Sequence, residues 1–435
     1  MPLPSKRLFY ALILLAFIGM LTTVWIDFIT LWKATLYSIL IIASIDLLLV
    51  YLKQPIEASR EVAGSLPLGI SRHITLRLHN HSRRSQTLSV YDHYPNAMEA
   101  EGLPITVAIG AQQFADVEYK VTATERGKFI FPQLQIHLTS LLGLWLRNIK
   151  LDTVSETRVY PNFAAISQLA LLATDNNLSQ MGIIKKRRRG EGQDFHQLRE
   201  YREGDALRQI DWKATARSLK LISRQYQDER DQEIIFMLDC GHRMLAKEDE
   251  LSHFDHTLNA ILLLSYVALR QGDAVGLGTF SGESRWIAPR KGYHTIQNIL
   301  NSVYDLQPSS ESPDFSKAAT DLMIRHKKRA LIIILTNIRD ADSDDLLPAI
   351  NLLRKRHLVL VSSLREKTID DVLHKPIHKL PDAILNAATH HYLQQRKKAF
   401  EKLLHNGTRA FETTPEHLSV ALINAYLNIK GSGIL

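Results

Sequence analysis

Residues Leu8 to Ile26 form a run of 19 without a single charge. As a helix rising 1.5 Å per residue, such a run is about 28 Å long, enough to cross the hydrocarbon core of a bilayer. A second apolar stretch, from about Ala34 to Leu52, is broken only by Asp46, and the short segment Asp27 to Lys33 between the two predicts a transmembrane helical hairpin over residues 1–55. No small-residue cleavage site follows the first run, which argues against a cleaved signal peptide. Lys6 and Arg7 flank the first run, and Lys53 and Arg60 follow the second. The positive-inside rule then predicts a two-pass protein of the cell (inner) membrane with both ends, and so both soluble domains, in the cytoplasm. The lone cysteine, Cys240, excludes an internal disulfide framework and fits a reducing compartment. A carboxylate inside the membrane needs a partner, and Asp46 is expected to form a membrane clasp with Lys6, Arg7 or the Tyr10 hydroxyl at the same depth on the neighbouring helix.

Beyond the hairpin the period of the sequence becomes two. In ITLRLHN the residues Ile74, Leu76 and Leu78 alternate with Thr75, Arg77 and His79, and VEYKVTA and FPQLQIHL repeat the pattern. Turn residues punctuate these strands, which predicts a small β-sandwich over residues 66–161. No metal or catalytic cluster is legible in it. Residues 162–190 read as a basic linker ending in Lys185, Lys186, Arg187, Arg188 and Arg189. From Lys185 to Arg230 there are 13 basic and 8 acidic residues, a net +5 of the whole chain's +8. Without the five-residue run that balance is neutral. A continuous groove for nucleic acid is therefore poorly supported, whereas one polybasic patch could contact anionic lipid.

From Asp231 onward apolar strands alternate with helical periods. The runs EIIFMLD (Glu233 to Asp239), AVGLGTF (Ala274 to Phe280), ALIIILT (Ala330 to Thr336) and HLVLVSS (His357 to Ser363) read as buried strands, separated by segments of helix length. This predicts an α/β doubly wound sheet covered on both faces, whose ligands would bind at the carboxyl ends of strands, where Asp239 and Thr336 sit. The whole is then a multidomain chain: two N-terminal transmembrane helices, a small β-sandwich, and an α/β domain in residues 191–435.

The densest polar segment, Gly190 to Ser218, alternates acids and bases around Phe195, Leu198, Tyr201, Leu207, Ile210 and Trp212. Each of its carboxylates, Asp194, Glu200, Glu203, Asp205 and Asp211, has an Arg or Lys within a few positions. A structural or docking ion network accounts for that spacing better than acid–base chemistry. The longer string RRRGEGQDFHQLREYREGDALRQIDWKATARSLKLISRQYQDER resembles the signature of the domain of unknown function 58 family, as do ERGKFIFPQLQIHLTSLLGLWLRN (Glu125 to Asn148) and VYPN (Val159 to Asn162). The resemblance implies a von Willebrand factor A-like domain in a protein of the bacterial inner membrane. It also implies protein partners, namely a MoxR-type AAA+ ATPase and a transglutaminase-like membrane protein.

In metal-binding members of that wider fold, a D-x-S-x-S loop, a Thr or Asp from a middle loop and a later Asp hold Mg²⁺. Here the resemblance maps the loop onto Asp239, Cys240, Gly241, His242 and Arg243, so that glycine and arginine replace both serines. The later Asp position falls on Asn337, and Asp314 or Ser312 would supply the middle ligand. The expectation is a degenerate metal site, no cofactor, and at most weak Mg²⁺ binding through Asp239 and Asp314. No phosphate-binding lysine loop and no serine nucleophile elbow is present. The leading expectation is a non-enzymatic adaptor that binds its partner through Arg199, Tyr201, Arg202, Glu203, Asp205, Arg208, Asp211, Trp212 and Arg217, or through the strand ends around Asp239 and Asn337. The alternatives are an enzyme built on Asp239, Cys240 and His242, and a binder of anionic lipid or nucleic acid through Lys185 to Arg189.

Overall fold

The structure, a computed structural model, describes residues 2–22, 29–52, 56–161, 194–202, 207–227, 232–248, 251–339 and 343–434. The chain divides into two compact units, Met1–Tyr160 and Pro161–Leu435. The expected linker 162–190, with Lys185 to Arg189, lies outside the described residues.

Two helices open the first unit, Lys6–Thr22 and Ile29–Tyr51. Among the described residues only the second is long and apolar enough to cross a membrane, its 23 residues measuring about 34 Å. The expectation of two transmembrane helices is corrected accordingly. The first helix has 17 residues and begins with Lys6 and Arg7, so its uncharged part, Leu8 to Thr22, spans about 22 Å, short of a core about 30 Å thick. The two-pass topology loses its support with it. The chain is also richer in β structure than expected, with six sheets among the described residues.

Asp46 lies fully buried on the Ile29–Tyr51 helix, and its partners differ from the expected Lys6, Arg7 or Tyr10. Both oxygens accept from the tight turn after strand Leu134–Thr139: Oδ2 from the Ser140 hydroxyl (2.5 Å) and the Leu144 N–H (3.3 Å), Oδ1 from the Leu142 N–H (3.0 Å). The carbonyls of the same turn face the N-terminal segment. Leu144 O accepts from the Ser5 N–H (2.9 Å), Gly143 O from the Ser5 hydroxyl, and Leu142 O from Arg7 (3.5 Å). Trp145 Nε1 adds a bond to Ala43 O (2.8 Å). A turn leaves backbone donors and acceptors without ladder partners; here a carboxylate takes the donors and Ser5 and Arg7 take the acceptors.

The rest of the unit is three sheets. A five-stranded sheet runs in the order Pro2–Pro4, Trp145–Leu151, Leu134–Thr139, Gln86–Asp92, Ile105–Ile109. A four-stranded one runs Ile56–Glu61, Arg72–Asn80, Phe114–Ala123, Met98–Glu101. The third joins Ser65–Pro67, Ser155–Tyr160 and Gly127–Phe131. Period two decides which side chains are inside: Ile74, Leu76 and Leu78 are fully buried, as are Val90, Ile136 and Leu138. One buried ion pair joins two sheets, Arg60 Nε to Asp92 Oδ2 at 2.8 Å, and the Tyr119 hydroxyl donates to the same oxygen at 2.6 Å. Arg60 therefore belongs to the interior of the β unit and is no flanking charge of a membrane helix, which removes one support of the cytoplasmic orientation.

In the second unit a six-stranded sheet has the order Trp286–Arg290, Ala274–Phe280, Glu233–Asp239, Leu331–Thr336, Leu358–Leu364, Arg409–Thr413. Only the first pair is antiparallel. The central strand explains the two-sided burial. Ile234, Phe236 and Leu238 pack with residues of helices His253–Arg270 and Leu418–Gly431, while Ile235 and Met237 pack with Phe315–Arg325 and Ser343–Arg354. Apart from this sheet stands a hairpin of Asp194–Glu200 and Ile222–Gln227, which carries the short helix Trp212–Ser218 between its strands.

Replacing Asp46 by Ala strips an acceptor from three donors, the buried Ser140 hydroxyl and the part-buried Leu142 and Leu144 amides, at a cost of about 1–3 kcal/mol for each left buried and unsatisfied. The expected result is faster hydrogen exchange at the Leu142 and Leu144 amides in detergent-solubilised full-length protein, with Asp46→Asn, which keeps one acceptor oxygen, falling between variant and wild type.

Candidate functional site

Polar groups at the carboxyl ends of parallel strands are where such sheets bind ligands. Asp239 ends the central strand and is fully buried. Its Oδ2 accepts from the Thr336 hydroxyl of the adjacent strand (2.6 Å) and its Oδ1 from the Gly241 N–H (2.8 Å). Burial pushes the carboxyl above its ordinary value, against the opposing pull of those bonds and of the Arg243 charge. Gly241 is packed so closely that a Cβ there would lie 2.8 Å from the Glu311 carbonyl oxygen. No serine fits at that position without moving backbone. The Glu311 carbonyl also accepts from the His242 N–H (3.1 Å) and faces its Nδ1 (3.2 Å), and Cys240 O accepts from the Ser309 N–H (2.6 Å). Cys240 is fully buried in the apolar core, its thiol directed to Leu238 O at 3.7 Å. A buried thiol bonded to a carbonyl is poorly placed to act as a nucleophile.

Asn337 is fully buried one residue past Thr336. Its amide nitrogen donates to Glu366 Oε1 (2.7 Å), and its oxygen accepts from Arg396 Nη1 (2.6 Å). Arg396, from helix Leu380–His405, also donates to Glu412 Oε1 (2.6 Å), to the Ser363 hydroxyl (3.1 Å) and to the Leu364 carbonyl. Asp314 caps helix Phe315–Arg325 by accepting from the Lys317 N–H (2.8 Å), and Arg243 is buried beside the first strand end. Mg²⁺ asks for about six oxygen ligands, several of them water. Here both oxygens of Asp239 are engaged by protein donors, Gly241 offers no hydroxyl, and the Asn337 oxygen faces a guanidinium. The residues do not fit Mg²⁺. A cavity of about 320 Å³ lies alongside, lined by Ser281, Trp286, Glu311, Ser312, Asp314 and Lys317 among others.

The expected docking residues fall on the hairpin. Asp211 caps the helix Trp212–Ser218, accepting from the Lys213 and Ala214 N–H groups (3.0 Å each), and its second oxygen takes Arg224 Nε of the hairpin strand at 2.9 Å. These bonds, that from Ala214 foremost, hold its carboxyl below the ordinary range. The Tyr201 N–H donates to Leu221 O, the Arg199 guanidinium bonds Glu200 O, and Lys220 pairs with Glu200 at 2.7 Å. Arg202, Arg208 and Arg217 are exposed, while Glu203 and Asp205 lie outside the described residues. On the same motif Trp212 is 68% exposed, Leu207 72% and Leu219 94%. Leu219 ends the helix in the left-handed region, φ +55°.

Two groups are missing from the sequence reading. Arg396 is one, because it lies 59 residues from Asn337 and only the fold brings them together. The other is the trio Glu57, His79 and His81, which strand pairing assembles in the β unit where no cluster was legible. The signal for it is the H-x-H spacing of His79 and His81 at the end of a strand.

Asp239 generates a pH dependence. A folded value above the unfolded 3.8 means that the folded chain keeps a proton the unfolded chain has released, so this contribution is greatest in acid and is lost as the pH rises through the folded value. Asp239→Asn does not titrate there. The difference in unfolding free energy between wild type and Asp239→Asn, followed from about pH 4 upward, is expected to move steadily against the wild type until Asp239 is ionised.

No curated protein matches this sequence. Solved structures similar to part of it include Salmonella alpha-2-macroglobulin reacted with methylamine, with 20% identity over 24% of this chain and 7% of that one and a TM-score of 0.19. The PapD-like domain 7 of human CEP192 has 12% identity over 24% of this chain and 89% of that one, TM-score 0.18. A FixG-related protein from Vibrio parahaemolyticus has 13% identity over 24% and 94%, TM-score 0.18. Scores this low define no shared architecture. Residues 197–378, which include part of the hairpin and most of the six-stranded sheet, match the family described as "Protein of unknown function DUF58".

Proposed function

We propose that the chain is a membrane-anchored adaptor that docks a protein partner through residues 197–223. The observation that carries this reading is that Leu207, Trp212 and Leu219 stand in solvent on this motif, Leu219 in the left-handed region. Leu219 is the sharpest case. An L-residue in the left-handed region costs about 1–2 kcal/mol, and helix ends prefer Gly or Asn there. At 94% exposure its side chain has almost no packing to offset that cost. Trp212, with Arg208 and Arg217 on the same motif, supplies the residue types that dominate binding energy at protein interfaces. Asp211, fixed by its bonds to Ala214, Lys213 and Arg224, holds the helix that presents Trp212 in one orientation.

In the finer reading the second unit is a von Willebrand factor A-like domain whose metal position is degenerate, so a partner engages side chains and not a bound cation. The partner is a MoxR-type AAA+ ATPase, with a transglutaminase-like membrane protein in the same assembly. The anchor is the helix Ile29–Tyr51, with the docking motif on the cytoplasmic side, where ATP and a reduced Cys240 are found. The catalytic alternative draws no support from the geometry, since the Cys240 thiol is buried and turned to a backbone carbonyl.

The test is co-purification of the detergent-solubilised protein with the ATPase. Trp212→Ala and Leu219→Asn are each expected to lower recovery by about fivefold or more, the effect of losing an interface anchor. Leu219→Asn is expected to leave the melting temperature equal or higher, because Asn tolerates the left-handed conformation better. Undiminished recovery with both variants contradicts the docking surface.

A further inference from the structure

Strand Ile56–Glu61 pairs antiparallel with Arg72–Asn80, and the register sets Glu57 directly opposite His79. His81 follows two positions on, in the turn that leaves the strand. Between the two histidines Asn80 points the other way and is fully buried. Its amide nitrogen donates to Arg84 O (2.9 Å), Gly110 O (2.8 Å) and Ile109 O (3.3 Å), and its oxygen accepts from the Ser82 N–H (3.0 Å). The backbone that carries both imidazoles is thus fixed from inside by a satisfied polar side chain, while the imidazoles and Glu57 face outward.

The outward side is where three potential donors meet. His79 Nδ1 lies 2.9 Å from His81 Nε2, and His81 Nε2 lies 3.0 Å from Glu57 Oε2. The two rings stand perpendicular with centroids 4.0 Å apart, and one ligand atom from each of the three residues lies within 4.8 Å of the others. Two facing imidazole nitrogens at this distance can share a single proton, since two N–H groups or two lone pairs would repel. With that proton displaced, each nitrogen offers a lone pair to a cation, and the Glu57 carboxylate lies beside His81 Nε2.

We propose that Glu57, His79 and His81 form a Zn²⁺ site of the two-histidine, one-carboxylate type, with the remaining coordination position open to water. Zinc bonds of about 2.0–2.1 Å set tetrahedral ligand separations near 3.3 Å, so the two separations to His81 Nε2, 2.9 and 3.0 Å, have to open by only a few tenths of an ångström, and the third, within 4.8 Å, has to settle to the same value. The side chains are exposed or half-exposed and can do so without moving the sheet. Nitrogen donors select a borderline ion such as Zn²⁺ over Mg²⁺ or Ca²⁺, which take oxygen. Bound there, the ion ties the edge strand Ile56–Glu61 to the turn after Arg72–Asn80. This site stands independently of the docking surface.

The experiment is a calorimetric titration of Zn²⁺ alone into full-length protein in detergent, with any affinity tag removed and prior metal stripped by chelator. One equivalent of Zn²⁺ per chain is expected, with Co²⁺ giving a tetrahedral visible absorption in its place. Loss of even an outer hydrogen-bonding partner weakens metal sites by about 10- to 100-fold, so His81→Ala and the shape-preserving Glu57→Gln are each expected to weaken Zn²⁺ by at least about tenfold. His73→Ala removes another exposed histidine of the same strand and is expected to change nothing. Absence of binding at sub-millimolar Zn²⁺ overturns the proposal. Binding that survives the His79→Ala/His81→Ala double variant, or that falls equally with His73→Ala, overturns it as well.

Discussion

A carboxylate buried at the end of a central strand has to be satisfied from within the protein, and the carboxyl edge of the six-stranded sheet is built around that demand. Thr336 and the Gly241 amide supply Asp239, and the Glu311 carbonyl closes over Gly241. Farther along the same edge Asn337 is held between Glu366 and Arg396. Asp239 and Asn337, two groups that a bound ion would use, have both been given protein partners. An unsatisfied buried group costs about 1–3 kcal/mol, so exchanging these bonds for a ligand would require that ligand to replace all of them. The proposed docking surface accordingly lies away from the strand ends, on the hairpin, where Leu207, Trp212 and Leu219 stand in water.

The first unit uses buried charge as a fastener. Asp46 gathers three donors from one turn, while Ser5 and Arg7 take the carbonyls of the same turn. The helix Ile29–Tyr51 is thereby joined to a β-hairpin by directional bonds. Arg60 and Asp92 do the same between two sheets. Removing one member of such a pair is costly because the other is stranded, which makes these pairs determinants of geometry more than of net stability.

Period carried much of the fold in the sequence. The alternation of ITLRLHN and the unbroken ALIIILT each mark a strand because two-fold and continuous apolar patterns have few other uses. Features without that pattern were hidden. The strand Arg409–Thr413 is short and half-exposed at the sheet edge, and Ile56–Glu61 follows an apolar run so closely that Arg60 reads as a membrane flank. With that strand went the pairing of Glu57 with His79. The first apolar run looked long enough to span a bilayer because charge-free length was counted without knowing that the described helix ends at Thr22. Asp239 was legible from its place after an apolar strand and Asn337 through the family resemblance; the partners of Asn337, Arg396 and Glu366, were not, since sequence spacing says nothing about a contact made across the fold. A left-handed leucine has no sequence signature at all, and the proposed docking surface rests on it most directly.

The central claim is that the hairpin motif is covered by a protein partner. A photo-crosslinking amino acid placed at position 212 of the full-length protein, activated in intact native membranes and resolved by mass spectrometry, tests it most directly. The account predicts one dominant crosslinked protein, an AAA+ ATPase, that disappears when the probe is moved to an exposed position of the β unit such as 118. Crosslinks only to lipid or solvent at 212, or the same products from both positions, would contradict it.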